Sequence, residues 1–213
     1  DGLNCGESQE ALFHVSRRLA GQGTTAFLPT LGGVPEFERL LEQLRMVHAA
    51  RGERAPGAEI AGIHLEGPFL SPDERARGSQ NVAAMRRPDV GEFERMNEAA
   101  GGSLRYMTIA PELPGAFAVI ERMAAAGVVP AAGVVPAAGH TTASYDEMRR
   151  AVDLGLRSVC HTFNGMPPMH HRNPGVVGAA LTLPELNAEL IGDGHHVDPV
   201  VIRILHRMKG TDG

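Results

Sequence analysis

Several of the ten histidines in this 213-residue chain fall beside glycines, acids and prolines at the ends of short apolar runs. In Gly62-Ile63-His64-Leu65-Glu66-Gly67-Pro68-Phe69, an extended run would put His64 and Glu66 on one side, because residues two apart on a strand share a face. A carboxylate at Glu66 suits a hard or borderline cation; the segment reads equally as a strand ending in a solvated acid. In Ala138-Gly139-His140-Thr141-Thr142, His140 is either a ligand or a turn histidine. In Cys160-His161-Thr162-Phe163-Asn164-Gly165-Met166-Pro167-Pro168, another apolar run ends in His161. Cys160 beside it suggests a thiol nucleophile with an imidazole base, but strand neighbours face opposite ways, so the two side chains should not meet. Cys160 is expected to pack against the helices.

Glu66, His140 and His161 come from separate strand ends, and a parallel sheet gathers such residues at one face. One carboxylate and two imidazoles form a ligand set for zinc or iron, with positions left for water and substrate. Two further loops carry polar groups. Met169-His170-His171-Arg172-Asn173-Pro174-Gly175 offers the planar fork of Arg172, which suits phosphate, although from spacing alone the segment reads first as an exposed basic loop. Gly192-Asp193-Gly194-His195-His196-Val197-Asp198 places Asp193, His195 and His196 after the last strand, as ligands, acid–base groups, substrate contacts or simply the loop that starts a helix.

The elements that must position these residues are legible from patterning. Runs rich in Val, Ile and Thr at 25–28, 60–65, 104–109, 134–138, 158–162 and 189–192 predict strands; amphipathic stretches at 7–22, 35–51, 90–100, 114–126, 144–154 and 199–208 predict helices. Ser144 with Glu147 fits a capping box, and Asp198 before Pro199 fits an N-cap with a first-turn proline. The alternation predicts an α/β fold with a parallel sheet under helices. About six strand–helix units are visible, where a closed eight-stranded barrel takes ~250 residues. The expectation is a partial (β/α)8 TIM barrel, a single unit over residues 1–213. A doubly wound open sheet is the alternative, but no GxGxxG fingerprint follows the first strand. GVVPAA occurs at 127–132 and again at 133–138. The second copy is expected to be the strand feeding His140, and the first a bulge or loop, since Pro130 is ill suited to an interior strand.

Composition excludes other classes. A formal charge of -5 with His neutral, without clustered Lys and Arg, argues against a nucleic-acid partner. Two cysteines, Cys5 and Cys160, make no disulfide framework. No basic start leads into an apolar run, and no apolar run is long enough to span a bilayer, so a cytoplasmic protein without a membrane partner is expected.

The segments GTTAFLPTL, HLEGPFLSP, TIAPE, AGHTTASYDEM, CHTFNGMPPMHHRNPGVVGAAL and IGDGHHVDP, in that order, resemble the N-acetylglucosamine-6-phosphate deacetylases of the amidohydrolase superfamily over nearly the whole chain. HLEGPF together with HTFNGMPPMHHR is specific to this family. The resemblance implies metal-dependent hydrolysis of the N-acetyl group of N-acetylglucosamine 6-phosphate to glucosamine 6-phosphate and acetate, by an enzyme that is commonly a homodimer. It implies Glu66, His140 and His161 as ligands of a divalent metal, zinc or iron. It implies Asn164, Gly165 (through its backbone) and Arg172 at the sugar phosphate, His196 as a substrate-binding histidine and Ser79 as a main-chain substrate contact. Two positions depart from the family pattern: Gln80 stands where a histidine is usual in a loop close to GAHNP, and Gly165 stands where alanine is usual.

The family pattern further includes an earlier strand with a His-x-His or related motif, a small β-sandwich, and a later strand with a Thr-Asp-Ala-type segment whose aspartate is the general acid/base. Asp212 in Thr211-Asp212-Gly213 follows a predicted helix and does not match that segment. The catalytic aspartate is therefore expected beyond Gly213, and the chain reads as a fragment of a longer enzyme, inactive by itself. The alternatives are a non-catalytic metal- or sugar-phosphate-binding protein, suggested by the partial barrel and the duplicated segment, and an amidohydrolase acting on another amide.

Overall fold

Strand and helix alternate as the patterning predicts. The computed structural model describes residues 4–53, 55–126, 133–210 and 213. Its elements are α1 (Gln9–Gly21), β1 (Ala26–Phe27), β2 (Thr30–Gly32), α2 (Phe37–Gly52), β3 (Glu59–Ile60), β4 (Ile63–Glu66), a 3-10 turn (Val82–Ala84), α3 (Val90–Ala99), β5 (Leu104–Ile109), α4 (Ala116–Ala126), β6 (Val135–Ala138), α5 (Tyr145–Asp153), β7 (Ser158–Val159), α6 (Gly175–Thr182), β8 (Asn187–Ala188) and α7 (Pro199–Lys209). One sheet has the order β2-β4-β5-β6-β7-β8, and β1 pairs with β3 alone. Every pairing is parallel. The large sheet runs in chain order, without the reversal that defines the switch point of a doubly wound sheet. Among the described residues, no helix is long and apolar enough to cross a membrane.

Local chemistry sets the helix starts. Ser144 Oγ accepts from the Glu147 amide while Glu147 accepts from the Ser144 amide at 2.7 Å, the reciprocal box expected. Asp198 accepts from the Val200 amide at 2.7 Å ahead of the Pro199 turn. The outer face of the sheet buries Ile63, Leu65, Met107 and Ile109 against Leu44 and Val47 of α2, Phe93 and Met96 of α3 and Ile120 of α4, all fully excluded from solvent.

Patterning missed α6. Six of its eight residues are buried, so it shows no polar stripe, and its glycines and valines are weak helix formers; burial on all sides overrides propensity there. Several strand boundaries also move. The 25–28 run shrinks to β1, with β2 starting beyond it at Thr30, and the 60–65 run divides between β3 and β4. The 158–162 strand stops at Val159, and the last strand is 187–188 rather than 189–192. The second GVVPAA copy supplies β6, in register with β5 from Tyr106↔Val135 to Ile109↔Ala138. The first copy and Asp212 lie outside the described residues.

Candidate metal centre

Because the strands are parallel, their C-terminal ends lie along one rim of the sheet. Glu66 is the last residue of β4. His140 stands two residues beyond β6 and His161 two beyond β7. β5 separates β4 from β6, and β5 and β6 together separate β4 from β7, so along the sheet the strands before the two histidines are two and three spacings, roughly 9–10 and 14 Å, from β4. Beyond the strands both histidines leave the strand conformation: His140 has φ 47° and His161 φ 32°, in the left-handed region.

The result is a tight cluster. Glu66 Oε1 lies 3.1 Å from His140 Nε2 and 3.3 Å from His161 Nε2, and the three donor atoms all fall within 4.8 Å of one another. The two imidazoles meet edge to face, with centroids 4.8 Å apart. His140 Nδ1 is 3.0 Å from the Ala76 carbonyl, and His161 Nδ1 is 3.0 Å from the Asn164 carbonyl. A carbonyl can only accept, so each Nδ1 carries the ring proton. Each Nε2 is thereby left to face the same carboxylate oxygen. With a proton on Nε2 the ring donates to Glu66; without it the lone pair is free for a metal, and donors about 2.0–2.1 Å from a tetrahedral zinc stand roughly 3.3 Å apart. The donor set thus fits a divalent metal, with each histidine oriented by the bond at its other nitrogen.

The electrostatics agree. Burial works against the charge on Glu66, but hydrogen bonds from His140 and His161 outweigh it and hold the carboxyl well below its usual range. Burial likewise opposes a charge on His161, and its bond to Glu66 outweighs that and raises its pKa. The other Glu66 oxygen, Oε2, accepts from Gln80 Nε2 at 2.8 Å. Gln80, a departure from the family pattern in sequence, is therefore a support for the carboxylate. Gln80→Leu is expected to weaken Zn2+ binding by about tenfold, the lower end for such supporting partners, measured by chelator competition. Unchanged affinity would show that Glu66 needs no second hydrogen bond.

The remaining sequence candidates divide. Asn164 and Gly165 sit in the turn after His161, next to the cluster. Asn164 Nδ2 is buried and has no hydrogen-bond partner, an uncommon state in a protein interior. Gly165 has φ 61°, and a Cβ there would lie 3.0 Å from His140 Nδ1. The glycine thus gives the His140 ring its room. Ser79, Arg172 and His196 are exposed, and none is hydrogen-bonded to Glu66, His140 or His161. The Arg172 amide donates to His170 Nδ1 at 3.2 Å, and His196 is held by Asp193 at 2.7 Å.

Cys160 corrects the expectation of packing against the helices. Its Sγ lies 2.9 Å from Thr108 Oγ1 and 3.7 Å from the Tyr106 hydroxyl, on the same side of the sheet as His64, whose Nε2 is 2.9 Å from Thr108 Oγ1. Strand alternation fails as a guide because β7 ends at Val159 and His161 turns back at positive φ. Burial, with the charge of Glu189 adding, pushes the thiol up to about 12, so it is no nucleophile near neutral pH. One acid was passed over entirely: Glu112, three residues beyond β5, bonds the residues that follow His140. Its position in TIAPE, just past a strand, is the signal that could have found it.

No family model matches the chain. Individual relatives do. The chain is 34% identical over 204 residues to the N-acetylglucosamine-6-phosphate deacetylase of Vibrio furnissii, covering 96% of this chain and 49% of that protein. It is 31% identical over 205 residues to the N-acetylgalactosamine-6-phosphate deacetylase of Escherichia coli O157:H7, covering 93% and 50%. A mutant N-acetyl-D-glucosamine-6-phosphate deacetylase from Mycobacterium smegmatis, solved in complex with N-acetyl-D-glucosamine-6-phosphate, superposes with a TM-score of 0.80 at 38% identity, covering 88% of this chain and 46% of that one. The chain spans about half the length of the curated relatives it matches. With the motif order, the sheet and the sequence identity in agreement, this chain is homologous, over nearly its whole length, to about half the length of the N-acetylglucosamine-6-phosphate deacetylases.

Proposed function

We propose that a protein carrying this chain hydrolyses the N-acetyl group of N-acetylglucosamine 6-phosphate, releasing glucosamine 6-phosphate and acetate, with zinc or iron held by Glu66, His140 and His161. The observation that carries this reading is the convergence of one carboxylate oxygen and two imidazole Nε2 atoms from three strand ends. A divalent cation bound there supplies Lewis acidity, polarising an amide carbonyl and bringing the pKa of water toward neutrality. Asn164, with its buried and unpartnered Nδ2, is assigned a hydrogen bond to the sugar phosphate, beside the Gly165 backbone and the guanidinium fork of Arg172. His196 and the Ser79 main chain are assigned further substrate contacts. Anchoring the phosphate lowers the orientational cost of presenting the amide. Proton transfer is assigned to none of these groups; in the family pattern it falls to a strand-borne aspartate not included in residues 1–213.

The in-order parallel sheet supports reading residues 1–213 as the central arc of a (β/α)8 barrel, with the cluster on its C-terminal rim, where such barrels hold their chemistry. The whole protein is read as a cytoplasmic homodimer acting on a small-molecule sugar phosphate. The E. coli relative favours one second reading, the galacto epimer as substrate.

The test is acetate release from both phosphorylated N-acetyl sugars by the longest protein containing this chain, stripped with chelator and reloaded with Zn2+ or Fe2+. Turnover only when loaded, and faster on the gluco sugar, is expected. Faster turnover of the galacto sugar selects the second reading, and a folded, loaded protein that turns over neither refutes both.

A further inference from the structure

Glu112 touches none of the three donor atoms, yet it holds the loop that presents one of them. It stands in the turn between β5 and α4, three residues past Ile109, and reaches across to the loop after the neighbouring strand β6. One carboxylate oxygen accepts from the Thr142 amide at 2.7 Å and from the Thr142 hydroxyl at 3.1 Å. The other accepts a short hydrogen bond from the Thr141 hydroxyl. Thr141 is fully buried and follows His140 directly.

The anchoring matters because His140 adopts φ 47°, a conformation that L-residues seldom take and that persists only where the surroundings over-determine it. Other bonds help: the Ser71 amide donates to the His140 carbonyl at 3.0 Å, and the Thr141 amide donates to the Gly165 carbonyl at 3.2 Å. These are neutral backbone bonds. Among the described residues, Glu112 is the carboxylate that reaches the two residues behind the ligand, and hydrogen bonds to a charged acceptor are about twice as strong as neutral ones.

We infer that Glu112 is a positioning residue: by clamping Thr141 and Thr142 it keeps His140 in its left-handed turn with Nε2 facing Glu66. This deepens, and rests on, the assignment of Glu66, His140 and His161 as a metal site.

The experiment measures Zn2+ affinity by chelator competition and the Co2+ absorption spectrum for the 213-residue chain, Glu112→Gln and Glu112→Ala, with the unfolding midpoint of each metal-free protein alongside. Glutamine keeps the shape and one acceptor but turns an N–H toward the Thr141 side. Affinity is expected to fall in the order wild type, Gln, Ala, with Ala weaker by about 10–100-fold, the range for partners that orient a ligand, and with the Co2+ bands of the variants displaced. A merely structural role would lower the unfolding midpoint and leave the affinity and spectrum of the folded protein unchanged, overturning the inference. Should Ala not fold, the near-isosteric Gln decides by the same criterion. If wild type binds metal and Gln binds it equally well with the same spectrum, the metal site stands and the role of Glu112 falls. If wild type takes up neither ion, the metal-site reading falls and this inference with it.

Discussion

Glu66→Gln is expected to reduce Zn2+ affinity by about a hundredfold or more, because structural zinc binding worth roughly 10–16 kcal/mol is shared among about four ligands. The substitution keeps size and shape and removes the negative charge. Glu66 is the one donor that both imidazoles face, through a single oxygen, so its charge makes the cluster a cation site rather than a pair of neighbouring histidines. The amide also turns either an N–H or a weaker carbonyl toward the two Nε2 lone pairs. Equilibrium dialysis against Zn2+, with circular dichroism to show that the fold is intact, measures this directly. A folded glutamine variant that binds zinc as tightly as wild type would remove Glu66 from the ligand set and leave the histidines without a reason to converge.

A second large effect concerns stability in acid. In the chelator-treated chain, His64 is held neutral mainly by burial, with the charge on Glu66 opposing and that on His161 reinforcing, so its pKa falls to about 4. Thr30 Oγ1 lies 3.0 Å from one ring nitrogen and Thr108 Oγ1 2.9 Å from the other, and Tyr106 packs edge-on. Hydroxyls satisfy either tautomer of the neutral ring. The unfolded residue titrates near the ordinary value of 6.5. Between pH 6.5 and 4 the unfolded chain therefore binds a proton that the folded chain refuses, and stability falls as the pH is lowered through that window. The shift corresponds to about 3 kcal/mol, a large share of the stability of an ordinary domain. The other members of the cluster act elsewhere. The lowered pKa of Glu66 contributes stability that is lost only below the ordinary carboxylate range, and the raised pKa of His161 contributes stability lost only above pH 6.5. Urea unfolding from pH 7 to 4, for the wild-type chain and for His64→Gln, isolates the term: the wild type should lose stability across the window and the variant should not. Equal slopes would place the proton on another group.

What could be read from the residues, and what could not, follows from the range of the interactions involved. The three donors were visible because each closes an apolar run, and parallel strands leave their ends on one rim. The capping box at Ser144 and the start of α7 were visible because a cap is a bond between residues two or three apart. The helix α6 was hidden, since burial on every side erases the periodicity that betrays a helix. The facing of Cys160 was misjudged for a related reason: alternation holds inside a strand, and the strand ends one residue before it.

The sequence by itself determined the α/β alternation and the order of the motifs, and it singled out Glu66, His140 and His161 as candidates, because these depend on local patterning and on residue type. Only the tertiary structure decided that Gln80 supports Glu66 across 14 positions, that Glu112 bonds the turn behind His140 across 30, and that both histidines, at positive φ, meet Glu66 from strands that are not its neighbours. Those contacts join residues from different loops, and no local energy term in the chain specifies which loop will lie beside which until the strands have paired.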